Sequence, residues 1–370
     1  MLIAFIVATT LSVILTHRVR AFAVRLGIVD LPDNDRKVHD KPTPRAGGIG
    51  IFVSTAAVIG FSALVGFVEL SPNTADARPL MALAVGGALV FALGLADDAL
   101  GGLRASVKFA AQALIALAVF AIGVRIEGIA LPGSEFLAFP TWLSMALTAL
   151  WIVGVTNAFN LIDGSDGVAG GAAVFAAGAM AVVSLLNGHE LGALVAVTLA
   201  GATIGFLVFN FPPASIFLGD SGSFFLGFTL ATLGIITTQT AQTALAVAIP
   251  VVSCGLPILD TLLAMARRLL RGESLFTPDR GHIHHRLREL GHSPRKVALI
   301  LYAASACFGL LSLVLVQPSG RTTATLFIVA GAAVWLAVQR LRIPELVEFG
   351  RVLRRSTRQR KAIAHNVRIR

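Results

Sequence analysis

PLMALAVGGALVFALGLADDAL, residues 79–100, decides the class of the chain. From Pro79 to Ala96 it carries no charged or amide side chain, close to the ~20 residues a helix needs to cross a hydrocarbon core. It then ends on two adjacent carboxylates, Asp97 and Asp98. Working outward, comparable apolar runs lie at about 2–16, 47–68, 108–124, 141–156, 168–186, 190–209, 222–238, 242–263, 298–317 and 322–339. With 79–96 they predict about eleven transmembrane helices, an all-α polytopic membrane protein. Several runs are rich in Gly and Ala, which suits helices packed closely on one another. Composition agrees: 56% of the 370 residues are hydrophobic and 14% charged, against roughly 25% charged in soluble domains. An ordinary soluble enzyme and a disordered chain are both excluded. The first run lacks a basic leader and a small-residue cleavage site, so it is expected to remain as a membrane helix. Cys254 and Cys307 lie far apart in apolar runs, which argues against a disulfide framework or a thiolate zinc site.

Charge sets the expected orientation, because Lys and Arg accumulate in cytoplasmic connections. Of 30 Lys and Arg, all but Arg78, Arg125 and Arg321 fall in alternate connections or in the tail. The C-terminus is therefore expected in the cytoplasm and, with an odd number of spans, the N-terminus in the periplasm. Residues 1–343 read as the membrane-embedded domain and 344–370 as a basic cytoplasmic tail lying against anionic headgroups; no nucleic-acid partner is expected.

Polar residues near the spans gather on the basic face. Asp97 and Asp98 oppose the dipole of the helix they end, so a divalent metal or a basic neighbour must offset them. As a pair they offer hard oxygens for Mg²⁺, or one ligand and one base. NAFNLIDGSDGVAGG (157–171) sets Asn157 and Asn160 three apart and then breaks the helix with glycines around Asp163 and Asp166. Such a polar cup can bind a base or sugar and let backbone N–H groups approach phosphates. In FNFPPASIFLGDSGS (209–223), Asp220 sits at a helix start, as a cap or a ligand, and Phe217 is placed either to stack on a ring or to anchor the loop. In PDRGHIHHRL (278–287), the spacing of His282, His284 and His285 is wrong for a helical zinc pair. With Arg280 and Arg286 they read as a cationic phosphate clamp, or as a proton donor to a leaving phosphate. Carboxylates, amides, a glycine cup and a cationic loop suit a phosphate anhydride and a metal. A secondary transporter is the rival from another class, but it would place its acids mid-span and show repeat symmetry.

The ordered series RKVHDKPTPRAGG, GLADDAL, NAFNLIDGSDGVAGG, FNFPPASIFLGDSGSFFLG and DRGHIHHRL resembles the polyprenyl-phosphate N-acetylhexosamine-1-phosphate transferases over residues 30 to about 290. The resemblance implies transfer of a sugar 1-phosphate from a UDP-N-acetylhexosamine to undecaprenyl or decaprenyl phosphate, with release of UMP and a requirement for Mg²⁺ or Mn²⁺. It implies Asp220 as metal ligand, and Asp97 and Asp98 as the essential pair near the acceptor phosphate. Asp163 falls where the family binds uridine, with Phe217 stacking on it and Asn157 and Asn160 lining the cleft. His284 and His285 match the essential histidines, with Asp260 of PILD holding their loop, and Lys41 and Arg45 fall in the basic first-loop motif. The HIHHRL form resembles the enzymes that use UDP-N-acetylglucosamine; the muramyl-pentapeptide transferases carry three consecutive histidines, and here Arg286 replaces the third. A bacterial inner-membrane enzyme with its active site on the cytoplasmic face, and a homodimer, complete these expectations.

Overall fold

The computed structural model describes residues 1–26, 29–30, 43–67, 74, 76–130, 136–238, 244–274, 281–316 and 325. Among them, nine helices are long and apolar enough to cross a bilayer: α1 (Leu2–Leu26), α2 (Gly47–Leu64), α3 (Ala77–Leu100), α4 (Ala105–Ile122), α5 (Thr141–Ile162), α6 (Val168–Leu186), α7 (Glu190–Asn210), α8 (Gly219–Thr238) and α12 (Pro294–Val314). The shorter α9 (Ala244–Ser253), α10 (Gly255–Leu270) and α11 (Ile283–Glu289) lie between α8 and α12. Two short antiparallel ladders join β1 (Val29–Asp30) to β2 (Thr43–Pro44) and β3 (Gly128–Ala130) to β4 (Phe136–Ala138). The chain is a multi-pass membrane protein.

At the centre stands α8, buried at every position from Ser221 to Thr237, with α2, α3, α5, α6, α7 and α9 packed around it. Lipid tails are as apolar as leucine, so close packing rather than exclusion of water has to hold such helices together. Glycines make the approach possible. A Cβ on Gly48 of α2 would lie 2.2 Å from the Gly222 nitrogen, and one on Gly94 of α3 would lie 2.4 Å from the Asp220 carbonyl oxygen. Some hydroxyls inside the bundle fold back on their own helices, as Thr148, Thr156 and Thr203 do onto the carbonyl four residues earlier. The Trp151 indole reaches across to the Ala231 carbonyl at 2.9 Å, so these polar groups are satisfied without water. On the outer helices the large apolar side chains face away from the bundle, for example Ile3, Leu89 and Leu114.

The structure changes the sequence expectation at three places. Helix α1 continues to Leu26, so Arg18, Arg20 and Arg25 lie on its last turns rather than in a loop. The run at 242–263 is not one helix but two, parted at Cys254. Pro250 and Pro257 flank the break, and neither can donate the backbone hydrogen bond that a continuous helix requires; α10 then runs on to enclose Arg267 and Arg268. The run expected at 79–96 extends to Leu100, which leaves Asp97 and Asp98 at the helix end, where the sequence put them, inside the last turn of α3. The span expected at 322–339 (apart from Thr325) and the tail at 344–370 lie outside the described residues. Both cysteines are free.

Candidate active site

The C-terminal ends of α3 and α5 and the N-terminal ends of α4, α6 and α8 meet at one end of the bundle. Helix α3 stays regular through Leu100 because Gly101 takes the left-handed cap, φ +73°, with its N–H on the Asp97 carbonyl. Adjacent residues on a helix point about 100° apart, so Asp97 and Asp98 meet different partners. The buried Asp97 accepts from the Leu103 N–H at 2.6 Å and lies 3.3 Å from Lys108 Nζ. Asp98 accepts from the Asp220 and Ser221 N–H groups at 2.9 and 3.0 Å. Those are first-turn donors of α8, so a carboxylate from a neighbouring helix caps it. Gly219, φ +77°, is needed at this point: a Cβ there would stand 2.5 Å from Asp98 Oδ2.

With its own helix capped by Asp98, Asp220 is left to face the cleft. Its Oδ2 is 3.0 Å from Lys108 Nζ, and its Oδ1 accepts from Asn160 Nδ2 at 3.0 Å. Asn160 also reaches Ser223 Oγ at 3.0 Å. Lys108 thus bridges Asp97 and Asp220 and lies 5.7 Å from the centre of the Phe224 ring. A cation in the first turn of α4 opposes that helix's dipole, and the two acids supply the compensation. One turn on, Gln112 accepts from Asn157 Nδ2, while its own Nε2 is buried without a hydrogen-bond partner.

Asp163 caps the end of α5. Crowding by protein, together with the negative charges of Asp220, Asp98 and Asp166, holds its carboxyl well above the usual carboxylate range against the pull of Arg45. The glycine turn behind it is clamped from three sides. The Gly167 N–H donates to Asn210 Oδ1 at 3.0 Å, the Tyr302 hydroxyl donates to the Gly167 carbonyl at 2.8 Å, and Asp166 Oδ2 accepts from the Ala214 N–H at 2.9 Å. Phe217 lies on the loop before α8, where its N–H meets the Pro44 carbonyl and its carbonyl the Gly47 N–H, pairing it in parallel with Arg45. Arg45 is exposed on the lip of the cleft.

The histidine loop hangs from α10. Asp260 is buried, its Oδ2 2.8 Å from His282 Nδ1 and its Oδ1 accepting from the Ile283 N–H at 2.9 Å. His284 is turned toward the glycine turn, where a Cβ on Gly164 would lie 2.9 Å from its Cε1 and Nε2. His285 stacks obliquely on His284, with ring centres 4.2 Å apart. Burial, then the charges of His285, His282 and Arg288, push His284 down to about 3, against the smaller pull of Asp260. His285 is lowered too, first by burial. The cationic clamp expected of this loop is therefore not carried by His284, which is neutral at physiological pH, and both of its ring nitrogens are buried without a hydrogen-bond partner. Arg286 turns back on the loop, its Nε donating to the Gly281 carbonyl at 3.1 Å. Lys41 and Arg280 lie outside the described residues.

The site therefore joins Asp97, Asp98, Asp163, Asp220, Asn157, Asn160 and His284 at one end of the bundle. Sequence reading asked for a cation beside Asp97 and Asp98 without naming Lys108. It also passed over Gln112, Ser223, Asn210 and Tyr302. Lys108 and Gln112 sit one turn apart on α4 facing the site, a pairing that could be seen in the sequence only once α4 was known to begin at Ala105.

Residues 80–238 match the family model described as glycosyl transferase family 4, and this stretch carries all four carboxylates together with Lys108. A probable undecaprenyl-phosphate N-acetylglucosaminyl 1-phosphate transferase of Bacillus subtilis is 37% identical over 313 residues, covering 85% of this chain and 84% of that one. The chain belongs to glycosyl transferase family 4. Two further relatives bracket this family 4 chain. A decaprenyl-phosphate N-acetylglucosaminephosphotransferase of Mycolicibacterium smegmatis is 34% identical, covering 92% of this chain and 87% of its own length. A phospho-N-acetylmuramoyl-pentapeptide-transferase of Shouchella clausii is 33% identical, with 74% and 84% covered.

Proposed function

We propose that this chain transfers N-acetylglucosamine 1-phosphate from UDP-N-acetylglucosamine to a polyprenyl phosphate, releasing UMP, at the cytoplasmic face of a bacterial inner membrane. The observation that carries this reading is Asp220, freed from capping its own helix and aimed at the cleft by Asn160 and Lys108. The names of the Bacillus and Mycolicibacterium relatives support the sugar and the lipid, and Arg286 in place of a third histidine supports N-acetylglucosamine over a muramyl pentapeptide.

In the reaction an oxygen of the lipid phosphate attacks the β-phosphorus of the UDP-sugar. The bond from that phosphorus to the bridging oxygen breaks, and the electron pair leaves on UMP. The lipid phosphate needs little help to attack, since a phosphate monoester with a second pKa of about 6 is already largely dianionic at neutral pH. Lys108 and Arg45 supply positive charge beside the diphosphate. Asp98 holds the start of α8, and with it Asp220, in place. Asp163, its carboxyl raised above the usual carboxylate range by burial and by the charge of Asp220, stands where it can hydrogen-bond the edge of a uracil ring. His284, neutral, offers one donor and one acceptor nitrogen at the same turn.

The donor set suits a hard divalent cation. Asp97, Asp98 and Asp220 outweigh Lys108 and Arg45, and their carboxylate oxygens are hard donors. That favours Mg²⁺, or Mn²⁺, which Asp220 would hold with Asp97 beside it. When bound, such an ion offsets the charge of the diphosphate as a Lewis acid.

UMP release from purified protein with Mg²⁺ and a short polyprenyl phosphate tests the proposal across a panel of UDP-N-acetylglucosamine, UDP-N-acetylgalactosamine and UDP-N-acetylmuramyl pentapeptide. Turnover is expected with the first donor and is expected to fall at least about 100-fold in Asp220→Asn. Turnover with the pentapeptide donor alone, or an undiminished rate in a folded Asp220→Asn, would overturn it.

A further inference from the structure

A cavity of about 550 Å³ opens at the end of the bundle opposite the carboxylates. Arg78 and Met81, from the start of α3, form one wall; Ala121 and Ile122, at the end of α4, with Arg125 and Glu127 just beyond, form the other. Arg78 and Asp97 stand on the same helix, about 28 Å apart at 1.5 Å per residue. That separation is close to the roughly 30 Å of a hydrocarbon core. If Asp97 lies level with the phosphates of one leaflet, the cavity lies level with those of the other.

Its charge is out of keeping with its surroundings. Only three of the 30 Lys and Arg fall in connections expected on that side, and two of the three line this one cavity. Glu127 is paired with Arg125 at 2.9 Å. The Arg78 side chain has no hydrogen-bond or ion-pair partner among the described residues, and its stem passes over the last turn of α4, 3.4 Å from where a Gly123 Cβ would stand. Beneath the charges, Met81, Ala121 and Ile122 make an apolar wall. A net positive rim above an apolar wall, at headgroup depth, suits an anionic group that continues into hydrocarbon.

We propose that this cavity binds the phosphodiester headgroup of a membrane phospholipid, with the Arg78 and Arg125 guanidinium groups on its non-bridging oxygens and the glycerol end of the acyl chains along Met81 and Ile122. The lipid ties the outer ends of α3 and α4, the two helices whose other ends carry Asp97 and Lys108. This site is independent of the transfer reaction.

The full chain, purified in detergent and stripped of lipid, is offered short-chain phosphatidylglycerol, the matching diacylglycerol, or inorganic phosphate at equal concentration, and adducts are read by native mass spectrometry. Phosphatidylglycerol is expected to be retained, and the other two not. Arg78→Gln, which breaks no ion pair within the described protein, should weaken retention by about tenfold, or ~1.4 kcal/mol. Met81→Trp, which fills the cavity and leaves both arginines in place, should weaken it as well. Unaltered elution from a sizing column verifies that both variants are folded. Retention unchanged in either variant overturns the proposal, as does inorganic phosphate bound as tightly as the lipid.

Discussion

The α3–α4 hairpin has two polar ends that differ in how their charges are held. At one end Asp97, Asp98 and Lys108 each meet a fixed partner: a loop N–H, the first turn of α8, and two carboxylates. At the other, Arg125 pairs with a half-exposed Glu127 and Arg78 reaches into a cavity. The two ends of one hairpin therefore hold their charges by different means. A polar group becomes rigid when backbone donors from another helix are committed to it, and a central helix such as α8 is what supplies them.

The largest effect that could break this contrast belongs to Asp98. Asp98→Ala should strand two buried N–H groups at the start of α8, costing about 2–4 kcal/mol, and Asp98→Asn, which keeps one acceptor oxygen, should recover about half. Thermal unfolding in detergent measures both, and a wild-type melting temperature for Asp98→Ala would mean that the cap does not hold the helix. A smaller effect comes from His284, whose folded value of about 3 lies below its ordinary 6.5. Between those values the unfolded chain binds a proton that the folded one refuses. Its contribution is thus complete above pH 6.5 and declines as the pH falls toward 3, by at most about 1.4 kcal/mol per pH unit. Asp163, shifted upward, works in the opposite sense, so the informative quantity is the difference between wild type and His284→Gln. That difference should shrink on acidification, and a constant difference from pH 7.5 to 5.5 would place His284 in a more hydrated setting. Smallest of all, Glu127→Gln should change stability by no more than about 0.5 kcal/mol, because its ion pair with Arg125 is 46–51% exposed. A loss of several times that would show the outer end to be as firmly built as the inner one.

Much of the architecture was legible in the residues. Nine of the apolar runs correspond to spanning helices, because a bilayer imposes one length and one polarity on whatever crosses it. The run at 242–263 misled because hydropathy averages over a window and is blind to two prolines that interrupt the hydrogen-bond ladder. At the site, clustering of acids and amides at span ends was visible along the chain, as was the need for a cation near Asp97 and Asp98. The division of labour between those two carboxylates was not. Nor could Tyr302 be found, the only tyrosine in the chain, which donates to Gly167 from 135 positions away.

Amino-acid order alone determined that this protein lives in a membrane and that its chemistry-bearing groups collect at the ends of its helices, since solvation energy acts on each segment separately. Tertiary structure alone decided which of two neighbouring aspartates caps α8, which lysine stands between Asp97 and Asp220, and that His284 is uncharged. Those properties depend on distances between helices far apart in the chain, and on how completely protein replaces water around each group.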